Sequence, residues 1–397
     1  MHVVFFGDQH LESSGGAQVS TRLQRAFLER AGHTVSVVAP KMPGRVFDDP
    51  GYIDTPSIPI TLDREYAMSV PGKRVDRFID AALASRPPVD LVHVQADFWG
   101  GITGHRFARR HDLPVVHTMH NRVDVGLRAT AGPIAPLALR VLNAWQRRLL
   151  PLPADVRAGS DGWAYLRGLA AGSAAVTAPS GHFARRLEEH DVFGHVDAMW
   201  NGADDAVLDS VLTEAGPRRP GRPRFVWVGR MSPEKRLLPF LRAVALSGID
   251  ADVEVIGGGG QLAAARRLVA GSTPTAHVRF AGRLPYADTL RRLAEADAVV
   301  QTSIGFETQG MTPFEAAALG TPAVISDPDI AGELETGFWA VPDESVAALA
   351  TTLRTAATDI AGGRAVAVNP AVGTRFRQSS RTADMIELYR RLVPSGS

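Results

Sequence analysis

The strongest constraint on the fold is a repetition. Short apolar runs of strand length alternate with helix-length segments, in two series divided by Gly216-Pro-Arg-Arg-Pro-Gly-Arg-Pro-Arg224. That divider carries no hydrophobic period and reads as a linker or exposed loop. Before it, Val3 to Phe6 reads as a buried strand, residues 7–16 as a glycine-bearing loop, and Gln18 to Arg30 as a helix. The stop at Ala31-Gly32-His33 then leads into a second strand, Thr34 to Val38, which makes a βαβ start. Leu91 to Val94 and Val115 to Thr118 continue the series, and Asn201-Gly202-Ala203-Asp204 reads as its exit turn. After the divider, strands are expected at Phe225 to Val228, Val253 to Ile256, Val278 to Phe280, Ala298 to Gln301 and Ala323 to Ile325. Strands alternating with helices form parallel sheets. The expected class is therefore α/β, with two Rossmann-like doubly wound domains facing across a cleft and ligands at the carboxyl ends of the strands. The expected boundaries are 1–205, 206–375, and a final helix over 376–397 that packs back on the first domain.

A chain of 397 residues suits two such domains. With no cysteine, disulfides, zinc ribbons, iron–sulfur clusters and thiol nucleophiles are excluded. A net charge of +1 gives no basic footprint for nucleic acid. The start of the chain resembles no signal peptide and no apolar run reaches membrane-spanning length, so the expected location is the cytoplasm. The 43 basic residues comprise three lysines (Lys41, Lys73, Lys235) and forty arginines, so composition favours a lysine at a motif position far less than an arginine.

Two constellations carry chemistry. In Phe225-Val-Trp-Val-Gly-Arg-Met-Ser-Pro-Glu-Lys-Arg236 a strand runs into a helix, with Ser232 expected as N-cap, Pro233 at the first helical position and Lys235 in the first turn. A cation there opposes the helix dipole at a cost of roughly 0.3–1 kcal/mol. Arg230, Lys235 and the helix amides would together clamp a diphosphate; the competing reading is a solvated pair beside an ordinary turn. In Gly305-Phe-Glu-Thr-Gln-Gly-Met-Thr-Pro-Phe-Glu315, Glu307 lies in a glycine-flanked loop after a strand, and the amides of Gly310, Met311 and Thr312 would face a phosphate. Thr312 and Glu315 also fit a capping box with Pro313 at the first helical position, which gives Glu315 a purely structural alternative.

The two motifs, in this order and spacing, resemble those of the retaining GT-B glycosyltransferases of family 4, with their Glu-x7-Glu signature. Gly15-Gly16-Ala17-Gln18, Ala31-Gly-His-Thr-Val35, His117-Thr-Met-His120, Ala178-Pro-Ser-Gly-His-Phe-Ala-Arg185 and Asn201-Gly-Ala-Asp204 are similar to that family's N-terminal markers. The resemblance implies an N-terminal acceptor domain and a C-terminal nucleotide-sugar donor domain. It implies that Arg230 and Lys235 neutralise the donor diphosphate, that Glu315 holds the ribose hydroxyls, and that Glu307 touches the transferred sugar. His120 resembles the histidine beside the reaction centre, and Gly15 and Gly16 resemble the loop that lets backbone approach the donor phosphate. The implied reaction transfers a hexose, glucose or mannose, from a UDP- or GDP-sugar to a hydroxyl, with retention and with neither metal nor cofactor. The nucleotide-sugar is a co-substrate.

The chain departs from the family at Ser326-Asp-Pro-Asp-Ile-Ala-Gly-Glu-Leu334, where a Gly-Gly turn is usual. Asp327-Pro-Asp329 formally matches a metal-binding Asp-x-Asp, although Asp and Pro after a strand are ordinary turn residues. A nucleotide-sugar epimerase and a non-catalytic sugar-binding protein remain as alternative readings. Between Arg106 and Arg148 stand eight arginines against Asp112 and Asp124. Leu137, Val141, Trp145 and Leu149 form one helical stripe there, compatible with contact with anionic lipid and a glycan or lipid-linked acceptor, although such a stripe more often docks a helix on its own sheet.

Overall fold

The computed structural model describes every residue except 14, 15, 43, 62, 63, 155, 157, 217–220 and 394–397, and the side chains of 129 and 130. The chain forms two compact units, Met1–Gly202 with Arg381–Ser397, and Ala203–Ser380.

The first unit carries β1 (His2–Gly7), β2 (Thr34–Pro40), β3 (Tyr52–Thr55), a short antiparallel pair β4 (Ile58–Pro59) and β5 (Ala67–Met68), then β6 (Leu91–Gln95), β7 (Val115–Thr118), β8 (Ala175–Ala178) and β9 (Val196–Ala198). Its helices are α1 (Gly16–Arg30), α2 (Lys73–Leu83), α3 (Trp99–Arg110), α4 (Val123–Ala131), α5 (Ala135–Leu149), α6 (Gly162–Ala170) and α7 (Gly181–Glu189). Seven strands form one parallel sheet in the order β3-β2-β1-β6-β7-β8-β9. Every residue of β1 is buried, as expected where both sheet faces are covered. The alternation of side chains along a strand sorts them. Val3 and Phe5 pack with Met385, Ile386, Leu388 and Tyr389, whereas Val4 and Phe6 pack with Val75, Ile79 and Phe107. Winding reverses between β1 and β6, where loops leave in opposite directions and open a crevice. A Cβ on Gly100 would stand 2.4 Å from the Gly7 carbonyl oxygen, so only glycine lets α3 approach the end of β1.

The second unit carries α8 (Asp205–Glu214), β10 (Arg224–Arg230), α9 (Leu237–Ser247), β11 (Asp252–Gly258), α10 (Leu262–Ser272), β12 (His277–Gly282), α11 (Tyr286–Glu295), β13 (Ala298–Gln301), α12 (Met311–Ala318), β14 (Ala323–Ile325), α13 (Pro328–Leu334), β15 (Phe338–Ala340), α14 (Val346–Ala361) and α15 (Pro370–Arg375). The last helix, α16 (Gln378–Leu392), begins in this unit and runs into the first. Its six strands pair in parallel in the order β12-β11-β10-β13-β14-β15, with the switch between β10 and β13. Phe225 and Trp227 of β10 anchor the core against Phe240 and Val244 of α9 and Leu349 and Leu353 of α14.

Two local expectations are corrected. Lys235 does not lie in an α-helical turn: Pro233–Lys235 is a single 3₁₀ turn, Arg236 takes a left-handed φ of 57°, and α9 starts at Leu237. Ser232 precedes the turn but makes no side-chain capping bond. At α12 the N-cap is Gly310, not Thr312. Thr312 and Pro313 are already helical, so the capping box is not made and Glu315 lies one turn into the helix.

Candidate active site

The switch point of the second unit gathers the C-terminal candidates. Lys235, from the turn after β10, and Glu307, from the loop after β13, meet with Nζ 2.5 Å from Oε1. Glu307 Oε1 also accepts from Ser303 Oγ at 2.7 Å. The Lys235 backbone is held from beneath: buried Trp227 donates its indole N–H to Thr302 Oγ1 (2.9 Å), and Thr302 donates to the Lys235 carbonyl (2.7 Å). Gly310, Met311 and Thr312 line the same hollow with Lys235, Thr302, Ser303 and Glu307. Gly310 has φ 75°, and a Cβ there would meet Ile330 Cδ1 at 2.6 Å, so the turn that starts α12 requires glycine.

Arg230 stands apart from this pair. Its side chain is 66% exposed and bonds Glu234 Oε1 at 2.9 Å, while that of Lys235 is 26% exposed. Each cation is paired with a carboxylate of its own unit. Glu315 is buried on α12, and burial pushes its carboxyl up to about 7, opposed by a hydrogen bond from Tyr286 of α11. Asp327 is committed to structure: it caps α13 through the Asp329 amide (3.0 Å) and accepts from the Gly305 amide (2.8 Å).

The switch point of the first unit holds a cavity of about 360 Å³, lined among others by Asp8, Gly16, Gln95, Trp99, His120 and Asn121. Gly16 is the first residue of α1; Gly15 lies outside the described residues. His120 follows β7, its amide donating to Asp97 Oδ2 (2.9 Å) and its Nε2 bonding Gln95 Oε1 (2.7 Å). Burial lowers the His120 imidazole, with Asp97 opposing and His117 adding to the shift.

Sequence reasoning passed over Asp8, Gln95 and Asp97. Asp8 accepts from the amides of Asp97 (2.8 Å), Phe98 (3.0 Å) and Gly100 (2.8 Å), so the loop after β1 satisfies the start of α3. Burial and the nearby Asp97 charge push Asp8 up to about 7, against the pull of those amides. Asp97 gathers three donors on Oδ2 from His120 and Asn121. Burial works to raise it, yet His117, His120 and Asn121 hold it below the usual carboxylate range. The available signal was positional: each polar residue falls at or just past the carboxyl end of an apolar strand run.

Solved structures share this architecture along the whole chain. Sucrose-phosphate synthase from Thermosynechococcus elongatus superposes with a TM-score of 0.69 at 18% identity, over 98% of each chain. Anabaena HepE, solved with UDP and glucose, gives 0.65 at 15% identity, over 99% of this chain and 100% of that one. The sequence model for Glycosyltransferase Family 4 matches residues 14–207, and that for Glycosyl transferases group 1 matches residues 212–361. The chain belongs to these GT-B glycosyltransferases. Two relatives of this glycosyltransferase act in lipid glycosylation by name. Alpha-monoglucosyldiacylglycerol synthase of Streptococcus pneumoniae is 28% identical over 31% of this chain and 27% of its own. Phosphatidyl-myo-inositol mannosyltransferase of Mycobacterium leprae is 27% identical over 54% of this chain and 58% of its own. The matched segments thus span about a quarter and rather more than half of those relatives' lengths.

Proposed function

We propose that the chain transfers a hexose, glucose or mannose, from a UDP- or GDP-sugar to an acceptor hydroxyl with retention at the anomeric carbon. The observation that carries this reading is the Lys235–Glu307 pair beside the Gly310 to Thr312 amides at the switch point of the second unit. A diphosphate offers Lys235 a second anionic partner, which frees the Glu307 carboxylate for a sugar hydroxyl. Exposed Arg230 exchanges Glu234 for phosphate at little cost, since exposed ion pairs are worth only ~0–1 kcal/mol. Glu315, deeper in α12, takes the ribose hydroxyls.

The chemistry follows from where charge develops. As the anomeric C–O bond breaks, the diphosphate gains negative charge and the sugar gains oxocarbenium character, so fixed cations and helix amides at the leaving group supply the stabilisation. The acceptor oxygen bonds to the anomeric carbon from the face that the diphosphate leaves. Its proton passes to the departing phosphate oxygen, and retention results. No metal or cofactor enters this scheme. The first unit's cavity, with His120 and Gly16 on its wall, is the place this reading gives to the acceptor.

The acceptor we favour is a glycolipid or lipid-linked glycan precursor at the cytoplasmic face of a membrane. The support is local. Ile134, Leu137 and Val141 around the start of α5 are 66%, 63% and 62% exposed, a patch with exposed Arg140 and Arg148 on the same helix. Trp145 and Leu149 of the same stripe pack partly into the core instead. No helix among the described residues is long and apolar enough to cross a membrane. A thermal-shift screen of UDP, GDP and their glucose and mannose conjugates tests the reading: ligand at a hundred times its Kd stabilises by about 2.7 kcal/mol. Absence of a shift with every one of them would overturn it, and conversion of donor alone into its epimer would favour an epimerase.

A further inference from the structure

Behind His120 lies a buried polar chain that the transfer scheme leaves unused. Tyr389 of α16 and His93 of β6 are fully buried. Tyr389 Oη stands 2.5 Å from His93 Nδ1, His93 Nε2 stands 2.7 Å from Thr118 Oγ1, and Thr118 Oγ1 stands 2.7 Å from Thr177 Oγ1. Burial, with His120 and His117 nearby, holds His93 well below the usual imidazole range, so the ring is neutral and carries one hydrogen. A buried phenol left without an acceptor is costly. Tyr389 therefore donates to Nδ1, and the His93 hydrogen sits on Nε2, directed at Thr118.

Gln95 stands over this ring. Its amide nitrogen lies 3.1 Å from His93 Nε2 and 3.5 Å from Nδ1. A group in the plane of the ring could approach only one nitrogen so closely, so the amide lies over the face, where an N–H meets π electrons. The same nitrogen donates to Gln24 Oε1 at 2.6 Å. Both neighbours call for hydrogens, which fixes the amide's orientation and turns its carbonyl towards His120 Nε2 at 2.7 Å. A carbonyl oxygen only accepts, so that His120 nitrogen must carry the hydrogen. His120 Nδ1, the lone-pair nitrogen, has no hydrogen-bond partner among the described residues, and the residue lines the cavity.

We propose that Gln95 is a positioning residue that locks His120 as the Nε2–H tautomer, making Nδ1 a hydrogen-bond acceptor that favours a hydroxyl over a carboxylate or phosphate oxygen at that wall of the cavity. His93, Tyr389 and Gln24 hold the amide in the one orientation that does this. The catalytic consequence rests on the proposed transfer reaction; the tautomer does not.

The test is two-bond ¹⁵N–¹H spectroscopy of the full chain labelled with ¹⁵N-histidine, with the His120 signals assigned by their loss in His120→Gln. The expected wild-type pattern is a protonated Nε2 and an unprotonated Nδ1. In Gln95→Leu the pattern is expected to collapse towards a mixture of tautomers. In Gln95→Glu, whose carboxylate also accepts from Nε2–H, the Nε2 proton is expected to stay and Nδ1 to protonate at a higher pH than in wild type. An Nδ1–H pattern in wild type overturns the proposal, as does an unmixed Nε2–H pattern in a Gln95→Leu chain that melts cooperatively. Should Gln95→Leu fail to fold, Gln95→Glu decides: an unshifted His120 titration overturns it. The spectra need no donor, so a chain that bound no nucleotide-sugar would fail the thermal-shift screen and still pass this one.

Discussion

Tyr286 of α11 hydrogen-bonds the carboxyl of Glu315 on α12, yet that bond offsets only part of what burial does to the acid. The folded-state value of about 7 lies above the 4.5 of an ordinary glutamate carboxyl. The folded chain therefore binds this proton more tightly than the unfolded chain, and the associated stability is full below about pH 4.5 and lost as pH rises through 7. The difference corresponds to about 3 kcal/mol. Glu315→Gln keeps an acceptor for Tyr286 without the charge, so it is expected to melt above wild type at pH 8 and level with it near pH 4. Melting curves across that range check this, and a constant offset at all pH values would show that the charge is not the cause.

Lys235→Ala and Glu307→Gln are each expected to lower kcat by about 10²–10³, the usual loss when one preorganised electrostatic group is removed. Because the two side chains touch, the double variant should cost less than the sum of the singles. Strict additivity, or a wild-type rate in Lys235→Ala, would detach the pair from the chemistry. Arg230→Ala should fold normally, its side chain being largely exposed, and should also transfer slowly.

Transfer is expected to proceed at full rate in EDTA, because the cations at the leaving group belong to the protein. Asp327→Ala is expected to cost about 1 kcal/mol through loss of the α13 cap, visible in denaturant titration. Activity abolished by chelation and restored by magnesium or manganese would return Asp327 and Asp329 to consideration as ligands.

Gly310→Ala places a side chain in a left-handed turn against Ile330. A loss of roughly 1–2 kcal/mol is expected from the backbone conformation alone, with a rise in donor KM as the start of α12 shifts. A variant with unchanged melting and KM would show that the turn tolerates a side chain.

The strands were legible where a continuous apolar run announced them: Ala298–Gln301 and Ala323–Ile325 fall where the sequence predicts. The strands β3, β8, β9 and β15 escaped because each is three or four residues of small, polar or mixed character, held in the sheet by neighbours rather than by its own pattern. Lys235 was misplaced for a different reason. Ser-Pro-Glu-Lys is a sound helix start by local propensity, but the left-handed Arg236 interposes a separate 3₁₀ turn. Glu307 and Lys235, 72 positions apart, could be joined only by the strand order that places β13 beside β10. Gln95 and Asp97 carried only a positional signal, because their partners come from other strands and loops.

For membrane contact, flotation with anionic vesicles at low salt is the measurement. Binding is expected, and it should weaken when Arg140 and Arg148 are reversed to glutamate or when Leu137 and Val141 become serine. Binding that ignores both sets of changes, or no binding at all, would favour a soluble acceptor. Arg147 is a poorer probe, since it is already engaged by the Gly159 carbonyl.

Tyr389 sits in the core formed by Val3, Phe5 and Val37, so the unit that holds β1 leaves the ribosome before the helix that completes it. Until the residues from Arg381 onward have been synthesised, the β1 face that carries Val3 and Phe5 has Leu28 of α1 but lacks Met385, Ile386, Leu388 and Tyr389, and His93 has no phenol. A fragment ending at Gly202 would expose that apolar face, and a stop codon anywhere in α16 should act as a defect of the first domain rather than of the second. Native assembly of this half of the molecule therefore waits for α16, and that helix is the step that commits it.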